Sequence, residues 1–184
     1  VEITEAAMGI LEEEGMEALT MRHLGESLGI RAPSIYKHLA DKRAVEVALI
    51  ERSLFELGEA LHQAVATAGD DRVSGLLSAY RREGIARPNL YRLTTAGRLP
   101  RHDLTPGLED WAGEPFFLAT GEPYLAQALW AFAHGMVILE LDSRFLDGSD
   151  LDRTWMEGTE AFRTVAGRNS PPVDPIAASP AGPP

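Results

Sequence analysis

The chain contains no cysteine, which excludes a disulfide framework, a zinc ribbon, a thiolate nucleophile and an iron–sulfur cluster in one step. Period-two alternation is scarce, and no Asn-Gly or Asp-Gly turn joins two β-branched runs, so there is little from which to build a sheet. No apolar run approaches the roughly 18 to 20 residues that span a bilayer. An acidic and apolar alternation stands at Val1 where a signal peptide would begin, so the chain is read as neither spanning nor entering a membrane and as compatible with the cytoplasm. Because that amphipathic pattern is already running at a first residue that is not Met, a trimmed N-terminus is expected. There is no Gly-rich phosphate loop, no Gly-x-Ser-x-Gly elbow and no His-Glu-x-x-His, and the histidines at 23, 38, 62, 102 and 134 are scattered. The expectation is no enzyme, no metal and no cofactor.

What is present is 184 residues with 45% hydrophobic content, enough for a packed core, and a formal net charge of −11. The average hides a local reversal. Thr20 to Arg43 holds Arg22, Arg31, Lys37, Lys42 and Arg43 against Glu26 and Asp41, a local excess of +3, whereas Arg101 to Glu160 carries −9. One small surface attracts polyanions while the rest repels them.

The pattern is all-α. Ile3, Ala7, Ile10 and Leu11 form a first apolar stripe closed by Gly15; Thr20 caps a short second helix ended by Gly29, with Ile30 expected to plug the corner. Pro33 fits the first position of a third helix of barely two turns, with Ile35 and Leu39 as its buried pair. Asp41 caps a long fourth helix to about Thr67, in which Gly58 is the weak point. A fifth helix stops at Arg87, a less regular stretch with two or three short helices runs from Pro88 to Pro123, and two apolar helices follow, Tyr124 to Phe145 and one after the Asp147–Asp150 stop signal. Residues 1–45 read as one domain, 46–166 as a second, and 167–184 as a tail in which Pro171, Pro172, Pro175, Pro180, Pro183 and Pro184 preclude a helix or core.

Three short helices, the second and third joined by a tight turn, match a helix-turn-helix in length and spacing. A recognition helix must lie shallowly in the major groove, and Ala32, Pro33 and Ser34 keep its leading face small. Ser34 and Lys37 can donate to base edges, and Arg31 at the helix entrance can reach base or phosphate. Lys42 lies in the first turn of the fourth helix, where backbone N–H groups favour an anion; Tyr36, His38 and Thr20 can each add a phosphate hydrogen bond.

The strings Gly15-x-x-Ala18-Leu19-Thr20-Met21-Arg22-x-Leu24, Leu28-Gly29-Ile30, Pro33-Ser34-Ile35-Tyr36-Lys37-His38-Leu39 and Asp41-Lys42 resemble the TetR family of bacterial transcriptional regulators over about the first 50 residues. The resemblance implies that Ala32, Pro33, Ser34 and Lys37 face bases and that Thr20, Tyr36, His38 and Lys42 face phosphates, with Arg22 and Arg31 as further DNA contacts. It implies an all-helical C-terminal domain that dimerises through its last two helices and holds a small-molecule pocket. Trp130-Ala131-Phe132-Ala133-His134-Gly135 is similar to the Trp–His–Gly signature of one C-terminal subtype. The pocket residues expected are Tyr80, Tyr91, Trp111, Phe116, Phe117, Trp130 and His134, a set that also suits a core; the dimer-interface residues expected are Leu129, Phe132, Met136, Trp155 and Phe162. The function expected is a homodimeric repressor released from a palindromic double-stranded DNA operator by a small-molecule effector. An effector-independent DNA-binding protein that recruits a partner and a helical enzyme stand as alternatives.

Overall fold

The computed structural model describes residues 2–169, without the side chains of Ala32, Pro33 and Asn169. Among these residues there are nine helices and no strand: α1 Glu2–Glu14, α2 Met21–Ser27, α3 Ala32–Ile35, α4 Lys42–Thr67, α5 Arg72–Ala86, α6 Pro88–Thr95, α7 Leu108–Thr120, α8 Pro123–Leu141 and α9 Leu151–Asn169. Local chemistry sets the helix starts. Thr20 accepts from His23 N at 3.1 Å, Asp41 from Ala44 N at 2.9 Å, Glu122 from Leu125 N at 2.6 Å and Asp150 from Arg153 N at 2.9 Å, each satisfying an amide that the helix itself leaves without an acceptor.

Two apolar clusters organise the packing. The first joins Ala7 and Leu11 of α1, Leu24 of α2, Ile35 of α3 and Val45 and Leu49 of α4, and takes Leu90 from α6. The second joins Leu61, Leu76, Leu77, Tyr80, Phe116, Leu129, Ala133, Val137 and Trp155 from α4, α5, α7, α8 and α9. The long helix α4 runs through both, unbroken across residues 45 and 46, so the head is continuous with the body.

Several expectations are corrected by packing. The third helix is four residues long, and the chain then closes in turns in which His38 N and Leu39 N both donate to Ile35 O, at 2.8 and 2.9 Å. Ile30 does not plug the corner but is exposed. Gly58 is a point of close approach: a Cβ there would meet Trp111 Cζ3 at 2.4 Å. Helix α9 continues to Asn169, two residues past the Gly167 from which a tail is expected, and the rest of that expected tail, residues 170–184, lies outside the described residues. The stretch from Pro88 to Pro123 holds α6 and the 13-residue α7, which accommodates Pro115 within it. Among the described residues α8 alone is long and apolar enough to cross a bilayer, contrary to the sequence reading. In this fold its Leu129, Ala133 and Val137 are buried in the cluster shared with α5, α7 and α9.

Candidate nucleic-acid interface

The cations of the head divide by whether the protein already neutralises them. Arg22 Nε lies 2.8 Å from Glu26 Oε1 one helical turn away, and Arg43 Nη2 lies 2.6 Å from Asp103 Oδ2 of the α6–α7 connection. Arg31 and Lys37 are exposed and have no side-chain partner among the described residues. The free positive charge of the head therefore gathers around α3, where the spacing argument places base contacts. Ser34 is half-buried beside them, and Tyr36 (51% exposed) and His38 present their polar ends to solvent. The side chains of Ala32 and Pro33, the other two residues expected to face bases, lie outside the described residues.

The expected phosphate contacts are less uniform. Thr20 accepts the cap bond from His23 and keeps its own hydroxyl proton free to donate. Lys42 is half-buried and donates to Met16 O at 3.3 Å, which ties its ammonium to the end of α1 while leaving further N–H donors. Asp41 already fills the place where an anion would take the Ala44 amide. What remains for a phosphate at the start of α4 is the Lys42 and Arg43 amides, which have no acceptor within the helix.

Comparison with known proteins shows what this head is similar to. Residues 3–49 match the family described as bacterial regulatory proteins, tetR family. Over those residues the head is similar to the TetR family. The chain is 27% identical over 177 residues to the HTH-type transcriptional regulator Rv0681 of Mycobacterium tuberculosis, covering 84% of this chain and 75% of that one. Over 54 residues it is 43% identical to the class A tetracycline repressor of transposon 1721 from Escherichia coli, a match that spans 29% of this chain and 25% of that repressor. The crystal structure of a TetR variant from Acinetobacter baumannii AYE in complex with minocycline shares the fold, with a TM-score of 0.62 at 21% identity over 90% of this chain and 94% of that one.

The head is fastened to the body by polar contacts that no local pattern announces. Glu12 of α1 accepts from Leu90 N at 2.6 Å and Asn89 N at 3.3 Å, capping α6 from outside, and Asn89 Nδ2 donates back to Leu11 O at 3.0 Å. Arg52 on α4 pairs with Glu5 of α1 at 2.9 Å and with Glu56, while Arg87 reaches Glu56 Oε2 at 2.5 Å. Burial alone would raise the Glu56 carboxyl, but the two guanidiniums outweigh it and hold it below the usual carboxylate range.

The aromatic residues expected to form one pocket separate into groups. Tyr80, Tyr91 and His134 make a hydrogen-bonded row: Tyr91 OH lies 3.0 Å from Tyr80 OH and 2.8 Å from His134 Nδ1. Phe116 packs edge-on against Tyr80, and Trp130 stacks on His134 with ring centres 5.9 Å apart. Burial raises the Tyr80 hydroxyl to about 12, raises Tyr91 further and lowers His134, all favouring a neutral row. Trp111 stands apart, stacked between Phe55 and His62, and Phe117 is exposed.

Of the residues expected at a dimer interface, three are buried within the single chain and Phe132 and Phe162 are half-buried. Leu129, Met136 and Trp155 are buried within the single chain, and Phe132 packs against both Trp155 and Phe162 as the seam between α8 and α9. These helices leave Tyr124, Trp130, Leu139, Met156 and Val165 exposed. A period-3.6 stripe identifies the apolar face but not which of two such faces the subunit keeps for itself.

Proposed function

We infer that this chain is a homodimeric, cytoplasmic repressor that releases a near-palindromic operator when a small molecule binds its helical body. The observation that carries the reading is the unneutralised, exposed set Arg31, Tyr36, Lys37 and His38 around α3, on a head whose other cations are largely paired. Ala32, Pro33, Ser34 and Lys37 read the bases, Arg31 reaches base or phosphate, and Thr20, Tyr36, His38 and Lys42 hold phosphates; Arg22 adds charge near the backbone, shared with Glu26.

Two heads on two half-sites about one helical turn or a multiple apart require a symmetric pair of chains. The exposed apolar residues of α8 and α9 are the surface for that pairing. Control then needs no contact between effector and DNA: a molecule that binds better to the arrangement with misplaced heads shifts the population away from the operator. The Acinetobacter relative in fold holds minocycline. Here the Tyr80–Tyr91–His134 row, with Phe116 and Trp130, is the candidate polar feature of such a body; Trp111 and Phe117 fall outside it.

The test uses DNA obtained by in vitro selection with the purified chain. Lys37→Ala should change the preferred sequence, whereas Tyr36→Phe should weaken all sequences about equally. Equal loss on every sequence for Lys37→Ala would remove it from the base-reading set.

A further inference from the structure

A cleft of about 720 Å³ opens between the first turns of α4, the end of α6 and the connection 96–107. It lies outside the aromatic row of the body. Val47 and Ile50 of α4, Leu93 of α6 and Leu99 of the connection give it an apolar wall. Its polar side sets Arg43, Arg98 and Arg101, with the His102 imidazole, against Glu46 and Asp103.

Pairing decides which of these charges are available. Arg43 is bound to Asp103, and Arg101 makes a two-pronged contact with Glu109 at 2.6 Å on each prong. Arg98 and His102 have no side-chain partner among the described residues, whereas Glu46 on the α4 wall interacts electrostatically with Arg43 without a hydrogen bond to it. The connection carrying Arg98 is held in place, because Thr105 donates to Glu51 of α4 through both its amide and its hydroxyl and Leu104 is buried. The cleft thus offers a fixed apolar wall, a free guanidinium on one side and, on the other, a carboxylate that keeps its hydrogen-bond acceptors open.

We propose that this cleft is a binding site for a compact amphipathic carboxylate with a hydrogen-bond donor at its far end. The carboxylate meets the planar fork of Arg98, with His102 beside it, the body lies on Val47, Ile50, Leu93 and Leu99, and the donor meets Glu46. The volume is within the range of small-molecule sites. Because α4 begins at Lys42, an occupant sits beside the helix that carries the start of the DNA face. Binding here is independent of the repressor reading; only its consequence for DNA rests on that reading.

The test is calorimetric titration of the full chain, without DNA, with three probes: 6-hydroxy-2-naphthoate, its neutral carboxamide, and 2-naphthoate. The expected result is saturable binding of one hydroxynaphthoate per subunit, with the amide at least about ten-fold weaker and 2-naphthoate weaker than the hydroxy acid. Arg98→Gln should bring acid and amide to equal affinity with an unchanged thermal melt, and Arg98→Lys should restore part of the preference. No saturable binding, equal affinities for acid and amide, or a preference that survives Arg98→Gln in a folded chain would each overturn the site. A chain that binds the acid as described yet ignores every DNA supports the site and overturns the repressor reading instead.

Discussion

Replacing Gly58 by Ala should destabilise the protein, although the same change normally strengthens a helix. In the interior of α4, exchanging Gly for Ala should gain about 1 kcal/mol of helix propensity. The added methyl, however, would sit 2.4 Å from Trp111 Cζ3, 2.9 Å from Cε3 and 3.0 Å from Cη2. That indole is held between Phe55, with ring centres 5.4 Å apart, and His62, at 5.0 Å, and His62 Nε2 lies 3.0 Å from Trp111 O. The ring has to move by about 1 Å against these neighbours, and overpacking of this kind costs about 3 kcal/mol at the upper end of its usual range. The net expectation is a loss of about 2 kcal/mol, or roughly 4 to 8 °C in Tm for a chain of this length. Gly9→Ala in α1 is the internal reference, because nothing lies within 4 Å of its Cβ position and it should gain up to about 1 kcal/mol. Thermal melts of both variants, with near-ultraviolet circular dichroism to follow the indole environment, make the comparison. A Gly58→Ala protein as stable as the parent would show that Trp111 does not pack against α4 as described.

Glu12→Ala should cost about 1 to 2 kcal/mol in chemical denaturation, because it removes the carboxylate that accepts the Asn89 and Leu90 amides at the start of α6; no loss would show that α6 is not docked on α1 through this cap. Burial holds His134 below its ordinary 6.5, so at lower pH the unfolded chain takes up a proton that the folded chain resists. Stability is then complete above that value and declines as pH falls through it toward the folded-state pKa, a decline that His134→Asn should flatten in melts between about pH 7.5 and 5.5. At the alkaline end, the Tyr80 hydroxyl raised to about 12 contributes stability that is full below the ordinary 10.0 and lost as pH rises through 12; Tyr80→Phe should weaken that alkaline dependence.

The sequence disclosed what is local. Capping residues announce where α2, α4 and α9 begin, since Thr20, Asp41 and Asp150 each use a side-chain oxygen on an amide three residues ahead. The cations flanking α3 were legible for a similar reason: exposure follows from their place at either end of a short helix beside a tight turn. What the sequence withheld depends on partners distant in the chain. Nothing beside Glu12 indicates that its carboxylate caps α6 about 78 positions away, and nothing beside Arg43 indicates that Asp103 neutralises it. Gly58 reads as a helix flaw until the indole lying against it is seen. Leu129 and Trp155 are buried within the single chain, which their periodicity could not announce, because periodicity specifies a face and not its partner.

The most direct test of the central claim, that two copies of this head seat on one duplex through phosphate contacts around α3, is the salt dependence of binding to selected operator DNA. With about four phosphates neutralised by each of two heads, log K should fall against log salt with a slope of about −7. A slope near about −3.5 would contradict the symmetric pair, and a slope near zero would contradict the phosphate-binding head itself.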